Sequence, residues 1–221
     1  MAIDMRKNLL IGLLMLASTS WGQVSFNGGY TMLNAFGTGA GPWSGLHVGV
    51  EVPRDDAISL YGKFTHCFAK SGDSTLQFAT AIDPTTSPFT QEVYGVVRTN
   101  YTILEGGTRY YLGNGFDFGW AGYGGTNFMI MFNQVKTKYD RFDDTKYTLS
   151  ASGGSDGSIF SAGVGLAGGV KYSVPRVGTF YTDVAIGYMF IAQGSNNTVD
   201  PALYSNLIFT VNVGYRYDIL W

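Results

Sequence analysis

Apolar and polar residues alternate with a period of two along most of the chain after its first twenty-odd residues. This alternation predicts β-strands that have one apolar face and one polar face. Eight segments carry the pattern, and each is long enough to cross a membrane as a tilted strand of about 10 residues. The predicted strands cover residues 24–33, 43–52, 57–69, 99–112, 116–136, 158–174, 178–191 and 203–221.

The connections between these segments alternate between short and long. Tight turns are predicted at 53–56, 113–115 and 175–176, because these stretches are rich in Pro, Gly, Asn and Asp. Longer connections are predicted near Thr38, Asp83, Asp143 and Asn196, and two of these are expected to be long polar loops, at 70–98 and 138–157. With an even number of strands, both ends of the barrel-forming region fall on the side of the short turns.

Composition separates two classes of all-β protein. Charged residues make up only 14% of the chain, and Gly is abundant at 31 residues. A secreted sandwich or lipocalin-like barrel keeps its bulky apolar side chains inside and its charges outside. Here the face opposite the bulky one carries Gly, Ser, Ala, Thr and isolated charges, which suits the interior of a narrow membrane barrel. The net charge of −2 argues against nucleic-acid binding.

The first 22 residues predict a secretory signal peptide. Arg6 and Lys7 precede a short apolar run from Leu9 to Ala17, and small residues stand at the positions that a signal peptidase reads. Cleavage is expected before Gln23, which leaves residues 23–221 as one domain. Translation from Met1 or from Met5 would fit the pattern.

The last strand alternates strictly and ends on an aromatic residue. Its outward positions are Val211, Val213, Tyr215, Tyr217, Ile219 and Trp221. This ending resembles the terminal strand of Gram-negative outer-membrane β-barrels. The whole pattern from residue 23 onward resembles the small eight-stranded barrels of the OmpA transmembrane-domain, OmpX and OmpW type.

The resemblance implies an all-β, antiparallel up-and-down barrel in the bacterial outer membrane, with short periplasmic turns and longer extracellular loops. It implies outer-membrane lipids, lipopolysaccharide and the outer-membrane assembly machinery as partners. It also implies an assembly signal formed by Tyr215, Tyr217, Ile219 and Trp221.

Charged residues at inward positions predict an ion-pair network inside the barrel, because buried charges must be paired. A group near the tight turns contains Glu51, Asp117 and Asp218 with Arg109, Lys171 and Arg216. A group farther from the turns contains Lys63, Glu105 and Asp183. We expect these residues to fill the lumen as a structural plug. A gated proton or ion path is the alternative.

No catalytic, metal or cofactor site is expected. Small outer-membrane lipid A deacylases carry a Ser two residues after a His, and neither His47 nor His66 is followed in this way. The acidic residues Asp140, Asp143 and Asp144 lack the spacing of a calcium loop. Cys67 is the only cysteine, so the chain has no internal disulfide.

Function is therefore expected in the extracellular loops, as adhesion to a host surface or protein partner, surface protection, or docking to a larger outer-membrane complex. The alternative is a narrow channel for small hydrophobic or ionic solutes. An outer-membrane enzyme acting on lipid or protein is a second alternative.

Overall fold

The computed structural model describes residues 23–38, 41–113, 115–140, 142–149, 156–194 and 205–220. The expected signal peptide and Trp221 lie outside the described residues, as does Asn196. Within the described ranges, no helix is long and apolar enough to cross a membrane.

Nine strands occupy the described part of the chain, and eight of them form one closed antiparallel barrel. They are β1 (Gln23–Ala35), β2 (Trp43–Pro53), β3 (Ile58–Ala81), β4 (Thr90–Tyr111), β5 (Gly119–Tyr139), β6 (Tyr147–Leu149), β7 (Gly157–Val174), β8 (Gly178–Gly194) and β9 (Leu207–Leu220). The eight long strands pair with their neighbours in chain order, and β6 pairs only with β3. The barrel closes between β1 and β9, where Val24 lies opposite Ile219 and Ala35 opposite Ile208. The predicted fold class is confirmed.

The two faces of the barrel wall differ as the alternation predicts. On β8, the side chains of Val184 and Ile186 are each 45% exposed, whereas Asp183 and Ala185 are buried. The strand therefore has an apolar outer face and a mainly polar or small inner face. The other long strands repeat this pattern, so that most exposed large side chains of the molecule are apolar.

Exposed aromatic side chains lie near both ends of the wall. At the end with the tight turns, which we call the turn end, they are Tyr110, Trp120, Tyr172, Phe180 and Tyr217. At the opposite end, the loop end, they are Phe36, Phe68, Phe132 and Phe190. On β5, twelve residues separate Trp120 from Phe132. At the usual rise and tilt of barrel strands this spacing is about 30 Å, close to the hydrocarbon thickness of a bilayer.

The predicted polar loop at 70–98 is wrong. β3 continues without a break to Ala81 and β4 begins at Thr90, which leaves only 82–89 as a loop. The segment still alternates, because Leu76 and Phe78 are exposed while Ala79 is buried. Its many Ser and Thr residues resemble a loop in composition, but β-branched Thr also favours strands.

The predicted loop at 138–157 needs a smaller correction. β5 continues to Tyr139, and the short strand β6 (Tyr147–Leu149) forms within the connection to β7. β6 pairs with the end of β3, where Ala79 lies opposite Leu149. The connection from β5 therefore crosses to the far edge of the β3–β4 pair and adds a strand there.

Candidate functional site: the filled lumen and the extracellular extension

Glu51 lies at the centre of the polar layer inside the barrel. Its side chain is fully buried. One carboxylate oxygen accepts hydrogen bonds from Ser59 Oγ at 2.6 Å and Tyr111 Oη at 2.5 Å. The other lies 2.6 Å from Arg109 Nη1 and 3.5 Å from Arg216 Nη1. Four donors thus converge on one carboxylate.

Arg109 links Glu51 to a second carboxylate. Its Nη2 lies 3.4 Å from Asp183 Oδ2. The guanidinium also stacks over the Tyr61 ring, with its carbon 4.5 Å from the ring centroid. Asp183 accepts a further hydrogen bond from Asn212 Nδ2 at 2.5 Å. Arg109 is therefore held between two carboxylates and an aromatic face.

A separate ion pair lies closer to the loop end. Lys63 Nζ is 3.0 Å from Glu105 Oε2, and both side chains are buried. Glu105 also accepts hydrogen bonds from Tyr61 Oη at 2.6 Å and Asn127 Nδ2 at 2.8 Å. His47 points inward nearby and bonds to Tyr181 Oη at 2.6 Å. His66 lies on the outer face instead, with Nδ1 3.0 Å from Thr102 Oγ1.

Two predicted members of the network are placed differently from the expectation. Asp183 was grouped with Lys63 and Glu105 but pairs with Arg109 of the turn-end group. Asp117 lies in the connection 112–118 and its side chain is exposed. Only its backbone carbonyl enters the interior, where it accepts a 2.5 Å hydrogen bond from Lys171 Nζ. Because Asp117 precedes the start of β5, strand alternation does not determine its direction.

Arg216 and Asp218 complete the turn end of the polar layer. Arg216 Nε lies 2.8 Å from Asp218 Oδ1, and Arg216 Nη2 donates to the Gly115 carbonyl at 2.9 Å. Asp218 is only partly buried and also accepts a 2.6 Å hydrogen bond from Ser25 Oγ. The polar layer thus extends from Asp218 at the turn end to the Lys63–Glu105 pair.

An apolar layer, not predicted from the sequence, fills the lumen on the loop-end side of this polar layer. Trp43 packs edge-on against Tyr101, with ring centroids 4.8 Å apart, and its indole Nε1 donates to the Thr99 carbonyl at 3.0 Å. The sequence contained a signal for this layer, since large apolar residues stand at inward positions of the strands. The buried members are Leu33, Ala35, Trp43, Cys67, Tyr101, Ile103, Met129, Met131, Met189 and Ile208.

The distribution of polarity between wall and lumen decides where this barrel resides. An apolar outer surface as tall as a membrane would be unfavourable in water. In lipid it is favourable, and because the sheet is closed, no unpaired backbone groups of a strand edge are exposed to the lipid. The chain is a transmembrane barrel of the outer-membrane type. Short turns of such barrels face the periplasm and longer connections face the exterior, so the loop end of this barrel is extracellular.

Three strands of the barrel continue well beyond the loop-end aromatics. From Ala69 to Ala81, β3 has thirteen residues past Phe68, which is about 40 Å of strand. We define the extension as 69–81 of β3, 90–99 of β4, 134–139 of β5, and β6. Its own small core consists of Ala79, Ala81, Val93 and Tyr147, with Tyr139, Phe142 and Leu149 packed against it.

A cleft of about 520 Å³ lies at the tip of the extension. Two turns of the same kind flank it, since Asp83 Oδ1 accepts the Thr85 N–H at 2.9 Å and Asp143 Oδ1 accepts the Thr145 N–H at 3.2 Å. The hydroxyl groups of Thr85 and Thr145 donate to the same oxygens. These bonds from Thr85 and Thr145 hold the pKa of each aspartate below its usual range. The cleft is lined by Ile82, Asp83, Thr86, Ser87, Asp143, Thr145, Lys146 and Tyr147.

The lining of this tip cleft is chemically mixed. Lys146 Nζ pairs with Asp143 Oδ2 at 3.3 Å, whereas Asp83 Oδ2 has no ion-pair partner among the described residues. Ile82 supplies an exposed apolar wall, with 58% of its surface accessible. In the described parts of the chain, no group of three or more His, Cys, Asp or Glu residues could hold a metal ion. The lining therefore offers carboxylate, hydroxyl, ammonium and aliphatic groups to a polar organic ligand.

No family model and no curated protein matches the sequence. The chain is similar to the outer membrane protein OprG of Pseudomonas aeruginosa, with 14% identity and a TM-score of 0.48 over 91% of this chain and 97% of that one. It is similar to Neisserial surface protein A, with 14% identity and a TM-score of 0.46 over 90% and 96%.

A third similar structure is Ail, the attachment invasion locus protein of Yersinia pestis, in complex with the heparin analogue sucrose octasulfate. The identity is 12% and the TM-score 0.44, over 89% of this chain and 99% of that one. These identities are too low to transfer a ligand or an activity to the present chain.

Proposed function

We propose that this barrel is a membrane anchor that presents its extension as a recognition surface on the outside of the cell. The observation that carries the proposal is the extension itself, which has a core of its own around Tyr147 and a cleft at its tip. An extension that served only to close the barrel would need neither feature. Binding residues are commonly found on connections that a rigid scaffold positions.

The lumen supports an anchor better than a channel. The apolar layer around Trp43 and Met129 lies across the interior on the extracellular side, and the ion-paired layer around Glu51 lies below it. Eight-stranded barrels have an interior just wide enough for side chains to fill. An ion crossing this lumen would have to displace buried apolar side chains and then separate buried ion pairs.

The chemistry of the tip cleft favours a saccharide as the ligand. Sugars present hydroxyl groups that bond to carboxylates and hydroxyls, and C–H faces that pack on apolar side chains. The cleft supplies Asp83, Thr86 and Ser87 for the first interaction and Ile82 for the second. Adhesion to a glycan on another cell is the role that this combination supports best.

The test compares a variant of the cleft with a control variant at the opposite end of the barrel. Asp83→Asn combined with Ser87→Ala changes the cleft, while the amide oxygen introduced at position 83 can still accept the Thr85 N–H. Asp55→Asn is the control, because Asp55 Oδ1 accepts the Ala57 and Ile58 N–H groups in an exposed turn at the other end. Each variant would be displayed on cells and applied to an array of mammalian and bacterial glycans and to epithelial monolayers.

We expect the cleft variant to bind the glycan with at least about tenfold lower affinity, because it loses one or two charge-assisted hydrogen bonds. The Asp55→Asn variant should bind with the affinity of the wild type. Equal binding by the cleft variant and the wild type would remove the cleft from the proposed function. Discrete single-channel conductance by the purified protein in planar bilayers would favour the channel instead.

A further inference from the structure

The two walls of the tip cleft belong to different connections and are fixed to each other. The Ile82 N–H donates to the Lys146 carbonyl at 2.8 Å, and Tyr147 Oη donates to the Pro88 carbonyl at 3.0 Å. A site whose walls are already in place loses little conformational freedom when it binds a ligand. The charged groups on these walls therefore keep their relative positions, and they can select one class of saccharide over another.

The charges on the two walls are not equivalent. Asp143 Oδ2 lies 3.3 Å from Lys146 Nζ, so these two charges offset each other. On the other wall, Asp83 Oδ1 already accepts hydrogen bonds from the N–H and the hydroxyl of Thr85. Within the described part of the chain, Asp83 Oδ2 has no ion-pair partner. The lining of the cleft thus carries one uncompensated negative charge, and it lies on Asp83.

The connections that form the tip are acidic beyond the cleft itself. Residues 82–89 and 140–146 contain four aspartates against one arginine and one lysine. Charges of one sign around a recess raise the local concentration of ligands of the opposite sign. A saccharide with sulfate or uronate groups would be repelled here, whereas a saccharide with ammonium groups would be attracted.

We propose that the saccharide of the tip cleft carries free amino groups, as in oligomers of glucosamine, and that one ammonium group pairs with Asp83 Oδ2. This inference rests on the proposed function, since it concerns the ligand of the same cleft. Ring hydroxyls would bond to Thr86 and Ser87, and a C–H face would pack on the exposed side chain of Ile82. A basic peptide also offers ammonium groups, but it has no ring hydroxyls for Thr86 and Ser87, so the lining favours the sugar.

The test compares three β-linked pentasaccharides of the same length that differ only in the group at the second ring carbon. The glucose oligomer carries a hydroxyl there, the glucosamine oligomer an ammonium group and the N-acetylglucosamine oligomer a neutral acetamide. Calorimetric titration of the refolded protein in detergent micelles measures the affinity for each. A pentapeptide of lysine serves as the ligand that has the charge but no sugar ring.

We expect the wild type to bind the glucosamine oligomer about tenfold more tightly than either neutral oligomer, because a charge-assisted hydrogen bond is roughly twice as strong as a neutral one. This preference should decrease severalfold when the ionic strength rises from about 0.01 M to about 1 M, since the Debye length falls from about 30 Å to about 3 Å. The affinity for the two neutral oligomers should change little over the same range.

Two variants separate the Asp83 carboxylate from the general acidity of the tip. Asp83→Asn removes the charge but keeps an oxygen that can accept the Thr85 N–H, and it should reduce the preference for the glucosamine oligomer to less than about twofold. Asp144→Asn removes an equal charge from the same end of the molecule, outside the lining of the cleft. It should keep a preference of at least about fivefold, because a charge that is not in contact with the ligand is screened by solvent and salt.

Equal affinity of the wild type for the glucosamine and glucose oligomers would overturn this inference and leave the proposed function intact. An equal loss of preference in Asp83→Asn and Asp144→Asn would overturn the pairing with Asp83, and equal affinity for the lysine pentapeptide would overturn the choice of a sugar. If none of the three oligosaccharides binds, the proposed function fails and this inference fails with it. If Asp83→Asn does not refold, the comparison of the three oligomers on the wild type still decides the question.

Discussion

At the scale of single residues, Glu51 is the carboxylate on which the buried charges of the lumen converge. It neutralises Arg109 and contacts Arg216, and both guanidinium groups are buried with it. Removing one partner of a buried ion pair is more damaging than never having had the pair, because the remaining charge keeps its desolvation cost. The stability of the polar layer should therefore depend on this carboxylate.

The first prediction is that Glu51→Gln lowers the free energy of unfolding by about 3–5 kcal/mol. Gln keeps the size of the side chain but removes the negative charge that lies 2.6 Å from Arg109 Nη1. Asp117→Asn is the matched control, and we expect a change within about 0.5 kcal/mol because that side chain is exposed. Urea titration of protein folded in lipid vesicles measures both values. A similar loss in the two variants would mean that Asp117 is as important to the network as Glu51.

The second prediction concerns depth in the membrane. Val184 lies on the outer face about midway between Phe180 and Phe190, so Val184→Arg should cost about 2–4 kcal/mol. Val177→Arg is the control, because Val177 is exposed in the turn before β8 and should lose no more than about 1 kcal/mol. The same vesicle titration applies. Equal costs at the two positions would place Val184 away from the bilayer centre.

Alternation along each strand predicts which of these residues point inward, but it does not predict their partners. The partner of Asp183 depends on strand tilt and register, which place it beside Arg109 rather than Lys63. These quantities are set by the closure of the whole barrel. The sequence of one strand contains no information on its height relative to the others.

At the scale of elements, the extension is the part of the fold that was wrongly predicted, because its composition resembles that of a loop. Ser, Thr and Asp are frequent in 70–98, and their frequency in loops outweighed the alternation of Leu76, Phe78 and Ala79. The pairing of β3 with β4 also shifts register between Cys67 and Lys70 and again between Ser71 and Ser74. These irregularities interrupt the period of two where β3 leaves the barrel, so regular alternation ends there.

The third prediction concerns the two turns that flank the tip cleft. Because the pKa values of Asp83 and Asp143 are lowered in the folded state, the hydrogen bonds to Thr85 and Thr145 persist at neutral pH. They should be lost only as the pH falls through those lowered values, below the usual aspartate value of about 3.9. The amide resonances of Thr85 and Thr145 in NMR spectra report this directly.

Asp83→Asn provides the control for this titration. It should abolish the acid shift of the Thr85 amide and leave that of the Thr145 amide unchanged, because each aspartate bonds within its own turn. Midpoints at or above the usual aspartate value would contradict the depressed pKa values and the turn geometry from which they arise.

At the scale of the whole molecule, the closed barrel was predictable because two simple patterns agree along the chain. A period of two requires a sheet with unlike faces, and the regular exchange of short and long connections requires antiparallel neighbours. The apolar layer around Trp43 and Met129 was not predicted because the inward face was expected to carry small residues and isolated charges. Many inward positions near the loop end carry large apolar residues, so the lumen has a core of its own at that end.

The last prediction distinguishes assembly from stability on the closing strand. Tyr217 is 55% exposed on the outer face of β9, whereas its neighbour Arg216 is buried in the lumen. We propose that the outward aromatic residues of this strand, Tyr217 among them, are read by the outer-membrane assembly machinery. Tyr217→Ser should then lower the yield in the outer membrane severalfold while changing the melting temperature of refolded protein little, because the lost side chain faces detergent. Arg216→Ala should lower that melting temperature, since Asp218 and Glu51 each lose a partner.

For each variant, the loss of outer-membrane yield in cells is compared with the loss of melting temperature in detergent. The assembly machinery acts on the chain before the barrel closes, so the outer face should control yield. The lumen becomes ordered only on closure, so Arg216 should control melting. If both variants lose yield and melting temperature in the same proportion, the outward aromatics of β9 stabilise the closing seam with β1 and carry no separate assembly signal.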